Sequence, residues 1–256
     1  MLKTVGQLTG STLTASDGDI GHIKEAYFDE HTWTIRYLVV DTGTWLSGRE
    51  VLISPYAVRQ PLNADHVDVA LTRQQVENSP AIDTHQPVSR RHEQEYLSYY
   101  AYPEYWGGTG LWSMGALPLL PPGLPPNEME PAAVAAAREE NVPAEDVYLR
   151  SSAHVTGYDI QATDDSVGHV KDFIFDDESW AVRYLVVDTR NWWPGGKKVL
   201  LATHWIDRID WADRTVFARL TRQQIKESPE YDESVLLDRD YENRVHDAHG
   251  RDGYWD

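Results

Sequence analysis

Arg36-Tyr37-Leu38-Val39-Val40-Asp41-Thr42 returns without a change as Arg183-Tyr184-Leu185-Val186-Val187-Asp188-Thr189, 147 positions downstream. The stretch also carries its own structural reading. Trp33, Ile35, Tyr37 and Val39 fall on one face of an extended chain, and Thr34, Arg36, Leu38 and Val40 on the other, because strand side chains alternate between two faces. The second face begins polar and ends apolar. That predicts a strand whose inner face fills a core and whose outer face is partly covered.

The copying extends outward from this strand. Gly21-His22-Ile23-Lys24 returns as Gly168-His169-Val170-Lys171 at the same offset. Val51-Leu52 returns as Val199-Leu200 at 148, and Leu71-Thr72-Arg73-Gln74-Gln75 as Leu220-Thr221-Arg222-Gln223-Gln224 at 149. Each step in the offset is one residue inserted in the second copy, first between Thr42 and Val51, then between Leu62 and Val67. Both intervals are rich in turn residues, where insertions are tolerated. Over 9–42, 17 of 34 aligned positions are identical. Chance does not produce this, so one fold is used twice. The period is too long for a solenoid and predicts two domains related by pseudo-twofold symmetry.

Within a copy, 20–28 reads as the strand before the repeated one. Asp29-Glu30-His31-Thr32 turns between them, as Asp176-Asp177-Glu178-Ser179 does in the second copy. Short strands follow at 50–53 and 66–70, with equivalents at 198–201 and 215–219. Short strands joined by tight turns point to a mainly β protein of two small barrels or sandwiches, and closure would remove sticky sheet edges. Each copy ends in a short helix. Thr72 stands three residues before Gln75, and Thr221 three before Gln224, the spacing of a capping box. Ser79-Pro80 and Ser228-Pro229 then stop the helix.

The run from Gly18 through His22 and Lys24 to Arg36–Thr42, followed by Val51-Leu52-Ile53-Ser54, resembles the PRC-barrel domain. The second copy shows the same pattern in Gly168-His169, Trp180, 183–189 and Val199-Leu200. The resemblance covers about 4–82 and 151–230. That family includes the soluble part of the photosynthetic reaction-centre H subunit, and a ribosome maturation factor holds a related barrel. What the resemblance implies is a small β-barrel used for protein–protein contact. Its motifs are strand residues and turn glycines, and mark a fold.

Composition narrows the function classes. The 256 residues carry 23 Lys plus Arg against 41 Asp plus Glu, a net charge of −18. Such a chain repels phosphate backbones, and no basic patch interrupts it, so nucleic acid is an unexpected partner. With no cysteine, disulfides, thiol catalysis and thiolate metal sites are excluded. No stretch reaches the ~18 apolar residues of a membrane span, and the first residues lack the apolar core of a signal. These features predict a cytoplasmic protein without an integral membrane segment, for which peripheral association stays open.

The expected organisation is a first barrel at 1–83, a linker at 84–150, a second barrel at 151–230 and a tail at 231–256. The tail carries 3 basic and 9 acidic residues from 230 onward and reads as solvated and mobile. The linker holds seven large aromatics between 96 and 112: Tyr96, Tyr99, Tyr100, Tyr102, Tyr105, Trp106 and Trp112. Five prolines at 117–126 suggest an extended path, and the alanine-rich 128–141 a short helix. So many aromatics argue against free disorder. They suggest an arm packed on the barrels, a homodimer contact, a docking surface for another protein, or a stacking site for ligands.

Candidate interaction residues are therefore Leu38, Val40, Leu185 and Val187 on the outer strand face, Tyr102, Tyr105, Trp106 and Trp112 in the linker, and Trp45, Trp192 and Trp193 in equivalent loops. His22 and His169 each follow a glycine. They read as strand-surface histidines or, less simply, as proton-exchange or metal ligands. Asp41 and Asp188 read as caps of the following turn or as an acid–base couple. Arg36 and Arg183, inside apolar strands, call for a carboxylate partner or an anion. His246, Asp247 and His249 offer a loose metal-binding pattern. No phosphate loop, nucleophile elbow or His-Glu-x-x-His motif occurs. The expected function is a non-enzymatic scaffold without cofactor or metal, with an unidentified protein partner or a second copy. One alternative is a peripheral accessory of a photosynthetic or electron-transport complex. The other is an acid–base or metal-dependent hydrolase using His22, His169, Asp41 and Asp188.

Overall fold

The structure, a computed structural model, describes residues 1–63, 65–80, 88–105, 149–190, 192, 194–233 and 237–255. Two compact units partition the chain, and each takes segments from both repeats. The N-terminal unit comprises Gln7–Arg150 and Glu178–Ala181, and the C-terminal unit Met1–Gly6, Ser151–Asp177 and Val182–Asp256.

In chain order the first repeat runs through β1 (Leu2–Thr4), α1 (Val5–Leu8), β2 (Thr12–Ala15), β3 (Gly18–Asp29), β4 (Thr34–Asp41), β5 (Glu50–Ile53), β6 (His66–Asp68), α2 (Arg73–Glu77) and α3 (Arg90–Tyr100). The second runs through β7 (Leu149–Ser151), α4 (Ser152–Val155), β8 (Asp159–Gln161), β9 (Ser166–Asp176), β10 (Val182–Asp188), β11 (Lys198–Ala202), β12 (Ile206–Asp210), β13 (Thr215–Ala218), α5 (Arg222–Glu227) and α6 (Arg239–Asp247). The repeated strand is β4 and β10. The chain is a mainly β protein of two small barrels, one sheet in each unit.

The sheet of the N-terminal unit has the order β5-β4-β3-β2-β6, with β7 added on β3. The sheet of the C-terminal unit has the order β11-β10-β9-β8-β13-β12, with β1 added on β9. Both contain one parallel pair, β2 with β6 and β8 with β13. In each sheet a glycine lets two strands come close. A Cβ at Gly21 (φ +159°) would lie 2.0 Å from the Asp41 carbonyl oxygen, and one at Gly168 (φ +156°) 2.6 Å from that of Asp188. No side chain fits there, which is the physical reason for the glycine of the Gly-His motif. At the hairpin tips, Trp33 and Trp180 adopt the left-handed region, with φ of 53° and 58°. Asp29 Oδ1 accepts the His31 and Thr32 amides at 2.9 and 3.1 Å, so the first turn is tied by its own aspartate.

The capping boxes form. Thr72 accepts from the Gln75 amide while Gln75 Oε1 accepts from the Thr72 amide at 2.8 Å. Thr221 and Gln224 repeat this, with the return bond at 2.9 Å.

The stretch read as a solvated, mobile tail is a correction. Residues 239–247 form α6, capped by Asp238, and bury Tyr241, Glu242, Val245 and His246. Tyr241 and Val245 stand four apart, one turn of a helix, a signal that the count of acidic residues averages away. The described part of the expected linker likewise holds α3, capped by Ser89, which buries Glu93, Tyr96, Leu97 and Tyr100. The extended 117–126 and the expected helix at 128–141 lie outside the described residues.

Candidate functional site

The polar residues of the N-terminal unit converge under α3. Tyr37 of β4 meets Tyr96 edge to face at 5.1 Å between centroids, and the Tyr96 hydroxyl accepts the Ser54 amide at 3.0 Å. One helical turn earlier, Glu93 is 2% exposed and accepts from Arg90 Nη1 at 3.0 Å. The Tyr105 hydroxyl donates to the other Glu93 oxygen and accepts from Arg90 at 2.8 Å. The Arg36 guanidinium lies over the Tyr105 ring, 3.9 Å from its centroid. Arg36 also donates to Thr32 Oγ1 at 3.1 Å and stands 3.9 Å from the Asp29 carboxylate. Burial pushes the Glu93 carboxyl up to about 7, against the opposing pull of Arg90 and of the Tyr105 and Tyr37 hydroxyls.

The C-terminal unit builds the same arrangement. Arg239 stands 3.3 Å from Glu242, Tyr184 donates to Glu242 at 2.9 Å, and Arg183 lies over the Tyr254 ring at 4.1 Å. The residues correspond one to one. Arg90, Glu93 and Tyr105 reappear as Arg239, Glu242 and Tyr254 at an offset of 149, the offset of the capping boxes. The duplication therefore reaches beyond the barrels to the helix that seals each one. The signal is present in the sequence as Arg-x-x-Glu followed by Tyr105-Trp106 and by Tyr254-Trp255. It is four residues thinly spread over a divergent background, and composition hides it.

Several candidate residues are committed to structure. Asp41 accepts the Gly43 amide at 2.8 Å, and Asp188 the Arg190 amide at 3.0 Å. Each caps the turn after its strand. The Arg190 side chain, bonded to Asp188, holds that carboxyl down to about 2. His22 pairs in register with Asp41 and His169 with Asp188, so each histidine sits beside the aspartate of its own repeat. No group of three or more His, Asp or Glu side chains among the described residues is placed to hold a metal. That includes the loose pattern at His246, Asp247 and His249.

Leu38, Val40, Leu185 and Val187 are each 0% exposed. The outer face expected to be partly covered is closed at these four residues. Tyr105 is also buried, and Tyr102 is half-buried, stacked on Tyr100 at 5.5 Å. Trp45 is half-buried under the Arg73 guanidinium at 4.4 Å, and Trp192 is half-buried with its amide on the Thr189 carbonyl at 3.0 Å. Trp106, Trp112 and Trp193 lie outside the described residues. No helix among the described residues is long and apolar enough to cross a membrane.

The family model of the PRC-barrel domain matches residues 8–74 and again 151–220, together more than half of the chain. A search of curated proteins finds no match. The two matches fall on the two copies read from the sequence and on the two sheets. The chain belongs to the PRC-barrel domain family and carries the domain twice in tandem.

Proposed function

We propose that this protein is a non-enzymatic interaction protein, a scaffold that carries two PRC barrels as binding modules for a protein partner or a second copy of the chain. The observation that carries the reading is the commitment of Asp41, Asp188 and the two Arg–Glu groups to structure. Asp41 and Asp188 cap turns, and Arg90, Glu93 and Tyr105 seal a helix onto a barrel, as do Arg239 and Glu242. The aromatic and proline-rich 106–126 supplies residue types that anchor interfaces.

The test is affinity capture and sedimentation of the intact chain against one lacking 107–126. The deletion starts beyond Tyr105, which is buried. Loss of a defined stoichiometric partner, or of self-association, supports the reading. A hydrolytic turnover abolished by Asp41→Asn and Asp188→Asn, with the fold intact, overturns it.

A further inference from the structure

At one of the buried positions where the two seals differ, the second copy gains a titratable group. Leu97 of α3 corresponds, at an offset of 149, to His246 of α6, and His246 is 2% exposed. Both of its ring nitrogens are engaged. Nδ1 lies 2.8 Å from the Asp252 carbonyl oxygen. That oxygen only accepts, so Nδ1 carries a hydrogen. Nε2 lies 3.1 Å from the Tyr184 hydroxyl, which in turn lies 2.9 Å from Glu242 Oε1.

A phenol has one hydrogen to give, and three groups decide where it goes. Arg239 forms an ion pair with the second Glu242 oxygen at 3.3 Å, and the Tyr184 hydroxyl donates to the first. Burial beside Glu242 raises the Tyr184 phenol far above its ordinary range, so it keeps its hydrogen. An ionised carboxylate can only accept, so the phenol hydrogen points to Glu242. Nε2 must then donate to the phenol oxygen. Both ring nitrogens are donors only in the charged imidazole.

We propose that His246 is a buried imidazolium, tied through Tyr184 to the Glu242 carboxylate, and that loss of its proton unlatches α6 and the 251–255 segment from the barrel.

The groups around it are mixed in sign. On α6 and its end stand Arg239, Glu242 and His249. From the 203–205 turn, His204 stacks on the His246 ring at 5.5 Å and 17°, and Trp205 meets it edge-on at 4.9 Å. From the C-terminal segment come Arg251, Tyr254 and Trp255, the last at 4.9 Å. From β10 come Arg183 and Tyr184. The other two imidazoles do not compete for the charge. Burial lowers His204 and His249, and Arg251 pushes each further down, with the Asp252 backbone acting the other way on His204. His249 is also bonded to Ser228 Oγ at 2.8 Å, with only Glu227 acting the other way. One imidazole of three takes the proton, the one with a hydrogen-bonded path to a carboxylate.

The direction follows from linkage. A histidine whose folded pKa exceeds its unfolded value stabilises the fold below that unfolded value, and the contribution is lost as pH rises through the folded one. The C-terminal seal therefore holds at neutral pH and loosens in alkali. The N-terminal seal, with Leu97, has no such proton. The inference holds whether or not the barrels bind a partner.

Long-range proton–nitrogen correlation spectra of the full chain, recorded from pH 6 to 10, test it. His246 is assigned through its α6 backbone in the wild-type protein, so the readout does not depend on a variant folding. The expected result is two protonated ring nitrogens at pH 7.5 and a titration at least about one unit above the ordinary value. Tyr184→Phe, which cuts the path to Glu242, should lower that titration by about one unit or more, while Tyr37→Phe leaves it in place. Amide exchange of α6, corrected for intrinsic rate, should accelerate as the proton leaves. A singly protonated ring at pH 7.5, a titration that Tyr184→Phe does not move, or α6 protection that survives deprotonation would each overturn the proposal.

Discussion

Arg150 Nε lies 3.0 Å from Glu30 Oε2, and the two residues come from different repeats. Their counterparts at an offset of 147 are Lys3 and Asp177, 3.9 Å apart in the C-terminal unit. Each leading strand is thus completed on the other repeat's long strand. β7 lies on β3 and β1 on β9, with Leu2 opposite Asp176 and Thr4 opposite Ile174. The exchange is reciprocal and is fastened at both places by an ion pair at the hairpin.

Removing residues 1–4 should therefore weaken the unit built by the second repeat. Two or three ladder hydrogen bonds at about 1 kcal/mol each put the loss at about 2–3 kcal/mol. Amide exchange should accelerate at Ile174 and Phe175 of β9 and leave β3 protected. Equal loss on β3 would contradict the exchange.

Leu38→Lys and Leu185→Lys place an ammonium where the side chain is 0% exposed. An uncompensated buried charge costs roughly 4 kcal/mol or more, so both variants should melt far below the wild type. A melting temperature left unchanged would show that this face is open after all.

Glu93 makes the stability of the N-terminal unit depend on pH. Its carboxyl stands at about 7 in the fold, against an ordinary value of 4.5. Between those values the folded state binds the extra proton, so stability falls as pH rises from about 4.5 to about 7 and then levels off. The span corresponds to something on the order of 3 kcal/mol. Glu93→Gln should flatten that slope in denaturant titrations at successive pH values. A slope that persists in the variant would assign it to another group.

Gly21→Ala should be severely destabilising, by about 3 kcal/mol or more, because its Cβ would collide with the backbone of Asp41. Gly10→Ala is the control. Gly10 has φ +88° but nothing within 4 Å of a new Cβ, so it should cost only about 1 kcal/mol of backbone strain. Equal losses in urea titrations would remove close approach as the reason for the Gly-His motif.

β4 and β10 were legible because a strand writes its two faces into alternate residues, and a copy repeats the writing. The capping boxes were legible for the same local reason. Two hydroxyl–amide exchanges three residues apart depend on nothing distant. α6 was not, because its evidence is a spacing of Tyr241 and Val245 within a run of charges. The seal was harder still. Glu93 meets Tyr105, which lies beyond the end of its helix, and Tyr37 arrives from a strand 56 residues away.

The amino-acid order by itself determined that one fold occurs twice, that it is built of short strands joined by tight turns, and that a capped helix follows the strands of each copy. Those are local or repeated features, carried by neighbours in the chain. Only the tertiary structure decided which repeat's long strand receives each leading strand, that both faces of β4 and β10 are buried, and that the acidic end folds into a seal. Each of these depends on residues brought together across long stretches of chain, where burial and hydrogen-bond partners exist only once the sheet has formed.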